Sequence, residues 1–507
     1  MNDNRAIQRH WLGVLRHLSI DNLIFCAAFC FGLRLRFEEE WLAALRQLWP
    51  GILVGTSAFG CVTYIMGLYA LQNAHQNYFK RAFLLTLGLG ISIVLMLGMF
   101  YLNFSTRIGR GAMVISTLMV FGGAIIHHAY LLQRFRNLRE RVALIVTCLE
   151  DESEAELLRD VKGHYLDVVG VVAHGYEPNR NFRVLGDVND LNEIANRENL
   201  DRILCTNHSM MDPRLYRLFC QLRYSGINVM PLISVFEEIC QSVPVELVTP
   251  EWLLIASGSP HMLYIKKLKR GFDVVVSLLG LAVSWPILLF AMIWVRLISP
   301  EGPVFYRQTR SGRFGKNFTL IKLRSMRPDA EAGQTAMWAS SKDPRAFAGG
   351  NFLRKYRIDE IPQMWNVLRG DMSFVGPRPE RPEFVEKLSH VIPYYRERLL
   401  VQPGITGWAQ VNYPYGASVA DARRKLEYDL YYTKNMSVFL DVFILLDTVQ
   451  IILRGGATRK SHDTSLIHQR TKRRERDTEM ISKQATVAAN PVSSEVASTQ
   501  IAATWSA

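Results

Sequence analysis

The stretch Phe272–Ile298, FDVVVSLLGLAVSWPILLFAMIWVRLI, decides the fold. Asp273 and Arg296 are its only charged residues. At roughly 1.5 Å of rise per residue it is long enough to cross a hydrocarbon core as a straight helix. Lys266, Lys267, Lys269 and Arg270 precede it, and Arg296, Arg307, Arg310 and Arg313 follow. Basic flanks mark the cytoplasmic side of a membrane segment, so both ends have cytoplasmic character. Pro286 sits near the middle, where it removes a backbone donor and kinks a helix. Two readings stand. One is a further membrane crossing. The other is a re-entrant helix that enters from the cytoplasm, breaks at Pro286 and leaves on the same side, with Ser284 as one partner for the freed backbone groups. The difference is large, because a crossing places every later residue on the opposite face.

Upstream, four apolar stretches read as transmembrane helices, about 18–35, 52–71, 82–102 and 112–132. Lys80 and Arg81 mark the second loop, and Arg134, Arg136, Arg139 and Arg141 follow the fourth span, which places the N-terminus and everything after Arg134 in the cytoplasm. Glu38, Glu39 and Glu40 then face outward. The first apolar run follows Arg5, Arg9 and Arg16 without a small-residue cleavage site, so it reads as a retained anchor rather than a cleavable signal peptide. The chain has 507 residues and a formal charge of +13. Much of that charge flanks membrane segments, which suits an anionic membrane surface or a phosphorylated substrate and argues against nucleic acid as a partner. The seven cysteines include no C-x-x-C pair and read as free thiols in a reducing compartment.

Residues 139–255 alternate short β-branched runs with helical patterns, with strands expected at 142–147, 168–172, 202–205 and 228–232. That alternation predicts a parallel sheet in a Rossmann-like cytoplasmic domain. A dinucleotide site needs a glycine-rich turn after the first strand. Here the strand runs into Cys148-Leu149-Glu150-Asp151-Glu152, with no glycine and three carboxylates that repel a pyrophosphate. The domain is therefore read as degenerate, with a structural or regulatory role, and a nucleotide-sugar oxidoreductase is disfavoured.

The chemistry-bearing residues cluster beyond Lys266. Arg354-Lys355-Tyr356-Arg357-Ile358-Asp359-Glu360 sets two adjacent carboxylates beside cations. Alone, such a pair is a solvated, salt-bridged turn. Its neighbours change that reading. Gly370–Pro379 and Gln402–Val411 are stiff glycine- and proline-rich loops, the first of which can fix Arg378 for a grip on phosphate. Lys322 and Arg324 lie in a strand-like stretch, 318–326. These are parts of a phosphoryl-transfer site. A carboxylate can attack phosphorus, cations offset the charge, and Mg²⁺ is held by one or two carboxylates together with substrate phosphates.

Several of these motifs in this order resemble the bacterial sugar transferases, the monotopic phosphoglycosyl transferases. The matching residues are Lys269–Asp273, the interrupted helix with Pro286, 318–326, the Asp359-Glu360 block, Met372–Pro379, Gln402–Gln410 with Asn412, and Glu427–Tyr432. The four N-terminal spans and the degenerate domain are similar to the long-chain polyprenyl glycosylphosphotransferases. The resemblance implies a four-helix transmembrane domain (1–138), the Rossmann-like domain (139–255) and a mainly α catalytic domain (266–457) with a re-entrant helix (272–298). It implies an enzyme of the bacterial inner membrane, multi-pass, with its catalytic domain on the cytoplasmic face.

The same resemblance implies that Asp359 attacks the β-phosphate of a UDP-sugar, with UMP leaving and a phosphosugar–aspartyl intermediate remaining. Undecaprenyl phosphate then accepts the phosphosugar, as the first step of exopolysaccharide or O-antigen synthesis. Glucose is the expected sugar. Asp359 and Glu360 are expected at Mg²⁺, with Glu360 helping to hold it. Arg354 and Arg378 match positions that contact phosphate, and Lys322 and Asp429 match motif positions expected near substrate. The family's Ser-Pro break reads Ser284-Trp285-Pro286 here. Long-chain relatives imply a homodimer seated among membrane lipids. The competing class is a catalytically inactive membrane scaffold, against which the complete Asp359, Glu360, Arg354 and Arg378 set argues.

Two segments remain. Residues 439–453 are apolar but interrupted by Asp441, Asp447 and Gln450, which reads as an interfacial amphipathic helix more than a core helix. From residue 458 to 507 the chain is polar, basic at first, and expected to be disordered.

Overall fold

The computed structural model describes residues 3–66, 68–69, 78–102, 110–136, 140–148, 166–174, 182–258, 261–328, 345–413 and 418–453, with isolated positions at 151, 154, 156–158 and 416. The 458–507 tail lies outside the described residues. The chain divides into two compact units, Met1–Cys240 and Gln241–Ala507.

In the first unit, the four apolar runs are helices α1 (Asp3–Phe37), α2 (Trp41–Ile65), α3 (Tyr78–Leu102) and α4 (Arg110–Arg136). The helices outrun the apolar stretches, because hydropathy marks only the middle of a helix while its polar end turns keep the same hydrogen-bond pattern. The second is displaced most: α2 starts at Trp41, carries Pro50 inside, and ends at Ile65 rather than at residue 71. Helices α1 and α2 pack on each other, α1 on α4, and α2 on α3. Among the described residues the bundle holds one buried acid. Asp21 lies 2.7 Å from His127 Nδ1 and 2.9 Å from His128 Nε2, and accepts the Tyr69 hydroxyl at 2.5 Å. A carboxylate among apolar helices needs such donors.

The α/β part has five parallel strands, β1 (Glu140–Val146), β2 (Leu166–Ala173), β3 (Val184–Asp187), β4 (Arg202–Cys205) and β5 (Asn228–Pro231), in the order β3-β2-β1-β4-β5. Strand β3 escapes the sequence reading because an edge strand of four residues with one buried side chain has no period to detect. Helices α5 (Leu191–Arg197), α6 (Asn207–Met211), α7 (Pro213–Tyr224) and α8 (Leu232–Ile239) follow their strands, and the core beneath them includes Val172, Ile194, Ile203, Phe219 and Leu222. This domain closes at Cys240, short of the expected 255. Beyond it, Gln241 accepts the Trp408 indole N–H at 2.8 Å, Val243 N–H donates to Glu427 O at 3.0 Å, and Glu246 pairs with Arg423 at 2.6 Å. Residues 241–258, with α9 (Pro250–Gly258), therefore belong to the second unit.

The second unit is built on α10 (His261–Ile298). The helix continues from His261 to Ile298 through Pro286, where the missing N–H removes one hydrogen bond and kinks a helix without ending it. The Ser284 hydroxyl is buried and has no hydrogen-bond partner among the described residues, so it does not serve the backbone there as expected. Val283 is 78% exposed and Phe290 63%, whereas Ala291 and Val295 are buried. One face is thus a bare apolar surface and the other packs with Leu323, Phe347 and Leu353. The length and composition of four helical runs suit a membrane crossing: Val14–Ile65 (α1 and α2 with the Glu38–Glu40 turn), Arg81–Met99, Gly111–Arg134 and Lys266–Ile298. The protein is membrane-associated on this ground.

The remaining elements are a β6–β7 hairpin (Phe305–Ser311, Asn317–Leu323), α11 (Gly350–Lys355), α12 (Gln363–Arg369), β8 (Ser373–Val375), α13 (Pro382–Val391), β9 (Gly404–Thr406), α14 (Trp408–Asn412), α15 (Val419–Asn435) and α16 (Val438–Leu453). The start of α10 is clamped to three of them. Lys269 pairs with Asp441 of α16 at 2.5 Å, and Arg270 donates to Val367 O and Leu368 O at the end of α12 at 2.5 and 2.7 Å. Asp273 accepts from Ser373 Oγ at 3.0 Å and Phe374 N–H at 2.9 Å. Helix α16, read as interfacial, has a core face: Ile444 joins Trp408, Tyr428 and Tyr432, while Phe439 and Val449 stay exposed.

Strands β8 and β9 are parallel, and the loops that carry them meet backbone to backbone. A Cβ on Gly376 would collide with Gln402 O, one on Gly404 with Gly376 N, and one on Gly407 with Gly376 O. Only glycine lets the chains approach this closely. Gly376→Ala is therefore expected to destabilise the protein by about 1–3 kcal/mol, the usual cost of overpacking. The readout is a lowered midpoint of thermal or denaturant unfolding in detergent; an unchanged midpoint would refute the seam.

Candidate active site

The two acids of the Asp359-Glu360 pair are positioned by a strained turn. Helix α11 ends at Lys355, and Arg357 adopts φ +59°, ψ +20° before a single 3₁₀ turn, Ile358–Glu360. A left-handed, non-glycine residue is held there only by its surroundings. Ile358 and Ile361 supply that hold by packing on the Leu288, Val295, Leu323 and Leu353 cluster. The turn rotates both carboxylates inward, leaving Asp359 6% and Glu360 8% exposed.

Their environments differ. Glu360 Oε1 accepts from Arg378 Nη2 at 2.8 Å and Arg357 Nη1 at 3.0 Å. Burial by itself raises the Glu360 carboxyl, but Arg378 and Arg357 outweigh it and hold the group below the usual carboxylate range. Asp359 moves the other way. Burial, and then the charge of Glu360, push it above that range against the pull of Lys322, Arg357 and Arg354. Asp359 Oδ1 is buried and makes no hydrogen bond among the described residues. Lys322 stands on β7 beside Tyr306, its ammonium 5.1 Å from the ring centre. Burial lowers its pKa and Asp359 opposes that shift. Two neighbouring carboxylates driven apart in this way suit two roles, a basic nucleophile and a fixed anion.

The sequence-derived residues Asp359, Glu360, Arg354, Arg378 and Lys322 thus share one electrostatic neighbourhood. Asp429 and the pair Ser284/Pro286 do not. Asp429 is buried on α15, where it accepts from Arg398 Nε at 3.0 Å and lies 2.8 Å from its Nη2. Arg398 also donates to the Tyr395 hydroxyl at 2.7 Å and to Arg378 O at 3.2 Å. Asp429 therefore reaches the site through Arg398, which steadies the backbone that carries Arg378. Sequence reasoning missed Arg398, since Tyr394-Tyr395-Arg396-Glu397-Arg398 reads as a solvated helical turn. It also passed over the role of Arg310, which donates to Pro379 O at 3.1 Å and so braces the same loop. Arg324 instead bonds Ser299 O and is structural.

The donor set suits a hard divalent cation. An unpartnered, buried Asp359 oxygen beside an ionised Glu360 offers one or two carboxylate ligands, and Mg²⁺ uses that number when substrate phosphates complete its shell.

Breaking a buried ion pair from one side leaves the other charge stranded, at roughly 3–5 kcal/mol. Arg398→Met is expected to lose stability of that order, and Arg398→Met/Asp429→Leu to lose less than the single variant. Chemical unfolding of the three proteins decides it, and additive losses would refute the coupling.

Comparison with known proteins agrees with the geometry. The sequence model of the family described as bacterial sugar transferase matches residues 264–455. A UDP-N-acetylgalactosamine-undecaprenyl-phosphate N-acetylgalactosaminephosphotransferase from Aeromonas hydrophila is 43% identical over 48% of this chain and 56% of its own length. A UDP-glucose:undecaprenyl-phosphate glucose-1-phosphate transferase from Xanthomonas campestris pv. campestris is 33% identical over 55% of this chain and 58% of its own. The chain thus spans little more than half the length of these two curated relatives. A protein of the same name as the second, from Klebsiella pneumoniae, is 32% identical over 73% of this chain and 78% of its own length. By that extended match, and by the family model over the unit that holds Asp359 and Glu360, this chain belongs to the bacterial sugar transferase family.

Proposed function

We propose that this protein transfers a hexose 1-phosphate from a UDP-sugar to undecaprenyl phosphate, releasing UMP, through a covalent intermediate on Asp359. The observation that carries the reading is the asymmetry of the dyad. Asp359 keeps a buried oxygen without a partner among the described residues and a raised pKa, while Glu360 is held as an anion by Arg378 and Arg357. A carboxylate made more basic, yet ionised near neutral pH, is the better nucleophile.

In the first step an Asp359 carboxylate oxygen bonds to the β-phosphorus of the donor. The bond from that phosphorus to the oxygen bridging the two phosphates breaks, and UMP leaves with the electron pair. In the second step an oxygen of undecaprenyl phosphate bonds to the same phosphorus, and Asp359 is released as a carboxylate. Arg354 and Arg378 hold donor phosphates, and Lys322 offsets charge on the equatorial oxygens. Asp359 and Glu360 would hold Mg²⁺, which would supply neutralisation of the diphosphate. Helix α10 is read as re-entrant, which keeps both its ends and the site on the cytoplasmic face of the inner membrane, where nucleotide sugars are. The five-stranded sheet is read as Rossmann-like, since its order is that of doubly wound domains. Related proteins carry names with glucose, galactose or N-acetylgalactosamine. Glucose is proposed here, and the product would begin an exopolysaccharide or O-antigen chain.

Purified protein with Mg²⁺, undecaprenyl phosphate and each of the three UDP-sugars should release UMP, with the highest turnover on UDP-glucose. Asp359→Asn should lose roughly 10⁴-fold or more, as removal of a nucleophile does. Donor alone should add a sugar-phosphate mass to the native protein and none to Asp359→Asn; an active Asp359→Asn protein would overturn the nucleophile assignment, and a native protein that releases no UMP would leave the scaffold reading. Because only ionised Asp359 attacks, the rate should fall as pH drops through a pKa above the ordinary aspartate value of about 3.9. Cysteines placed at either end of α10 should react only with cytoplasmic reagent, and periplasmic labelling at one end would make α10 a true crossing.

A further inference from the structure

The α/β domain carries a second cluster of reactive side chains that the transfer reaction does not use. It sits at the carboxyl ends of β1 and β4, neighbouring parallel strands in the order β3-β2-β1-β4-β5. The strand order reverses between them, and in open α/β sheets that crevice is where ligands bind. Cys148 lies two residues beyond β1, and His208 three residues beyond β4. Cys148 Sγ, an Asp151 carboxylate oxygen and a His208 ring nitrogen all lie within 4.8 Å of one another.

Asp151 is fully buried and deliberately aimed. Its Oδ2 accepts from the Thr147 N–H and hydroxyl, both at 2.7 Å, and its Oδ1 points to His208 Nδ1 at 3.3 Å. Fixing one carboxylate oxygen so that the other faces a ligand is how outer-shell bonds orient metal-binding acids. Glu154 stands beside them, buried, accepting the Asn207 N–H at 3.3 Å. Two buried acids at this crevice exclude a phosphate and favour a cation.

We propose that Cys148, Asp151 and His208 form a binding site for a divalent transition ion of the zinc class. A thiolate, a carboxylate and an imidazole are zinc ligands with bond lengths of about 2.0–2.3 Å, so donor atoms already this close need small movements to surround one ion. The fourth position opens to solvent on the side of His208, whose side chain is 50% exposed. Binding converts the Cys148 thiol to a thiolate and releases its proton, while the His208 proton moves to Nε2. The ion ties the loop after β1 to the loop after β4. It thereby closes the crevice that a glycine-rich turn would open to a dinucleotide.

The test is cobalt titration of the full-length protein, stripped with chelator and held in detergent. Co²⁺ should produce thiolate-to-cobalt charge-transfer absorption that saturates at one equivalent and is abolished by Zn²⁺. Cys148→Ser should remove that band. His208→Gln, at an exposed position that leaves the fold intact, should weaken cobalt binding roughly tenfold or more. The Asp21, His127 and His128 cluster contains no thiol, and an ion bound there gives no such band. Absence of the band, or a band unchanged in both variants, would overturn the proposal.

Discussion

Two neighbouring carboxylates cannot be buried together unless something accounts for their charge, and the catalytic unit is organised around that constraint. Glu360 is matched by two guanidinium groups on one oxygen, and Asp359 keeps an open oxygen under weaker cationic influence. Adjacent acids in one turn would otherwise share a proton or turn to solvent. The left-handed backbone at Arg357 keeps both facing inward, and the isoleucines on either side of the pair hold that backbone by packing.

The parts around the dyad then sort by what they hold. Arg378 reaches Glu360 from a loop whose partner loop lies against it through Gly376, Gly404 and Gly407, with Arg398 and Arg310 bonded to its carbonyls. Long motifs that look chemical are in good part mechanical. Lys269, Arg270 and Asp273 pin the membrane helix to α16, α12 and β8, and Trp408 donates to Gln241 rather than facing the acids. Asn366 makes the same kind of joint, bonding Ile321 N–H and Thr319 O so that α12 and β7 move as one. Stiffness of this kind suits the proposed chemistry, since a displacement of about 1 Å at reacting atoms can cost a hundredfold in rate.

The α/β domain follows a different logic. Its sheet has the order of nucleotide-binding domains, yet acids and a thiol occupy the turn where glycines and a phosphate would be. A crevice without a phosphate-binding turn can still hold chemistry, because the strand ends bring separate loops together.

The sequence alone determined the membrane character and the parallel α/β domain. Hydropathy runs, strand–helix alternation and ordered motifs are local or linear properties that need no coordinates. It singled out Asp359, Glu360, Arg378, Arg354 and Lys322 because each lies within a motif, and the fold brings these five into one electrostatic neighbourhood. It misjudged what depends on distant partners. Ser284 has no hydrogen-bond partner among the described residues, the α/β domain stops at Cys240, and β3 has no period to detect. Only the tertiary structure decided that Asp429 serves Arg398 and that Arg398 braces Arg378, since residues 398 and 429 have no sequence signal linking them. The same holds for the divergent pKa values of Asp359 and Glu360. These adjacent carboxylates are distinguished by which cations the fold brings to each, and by how completely it removes water from both.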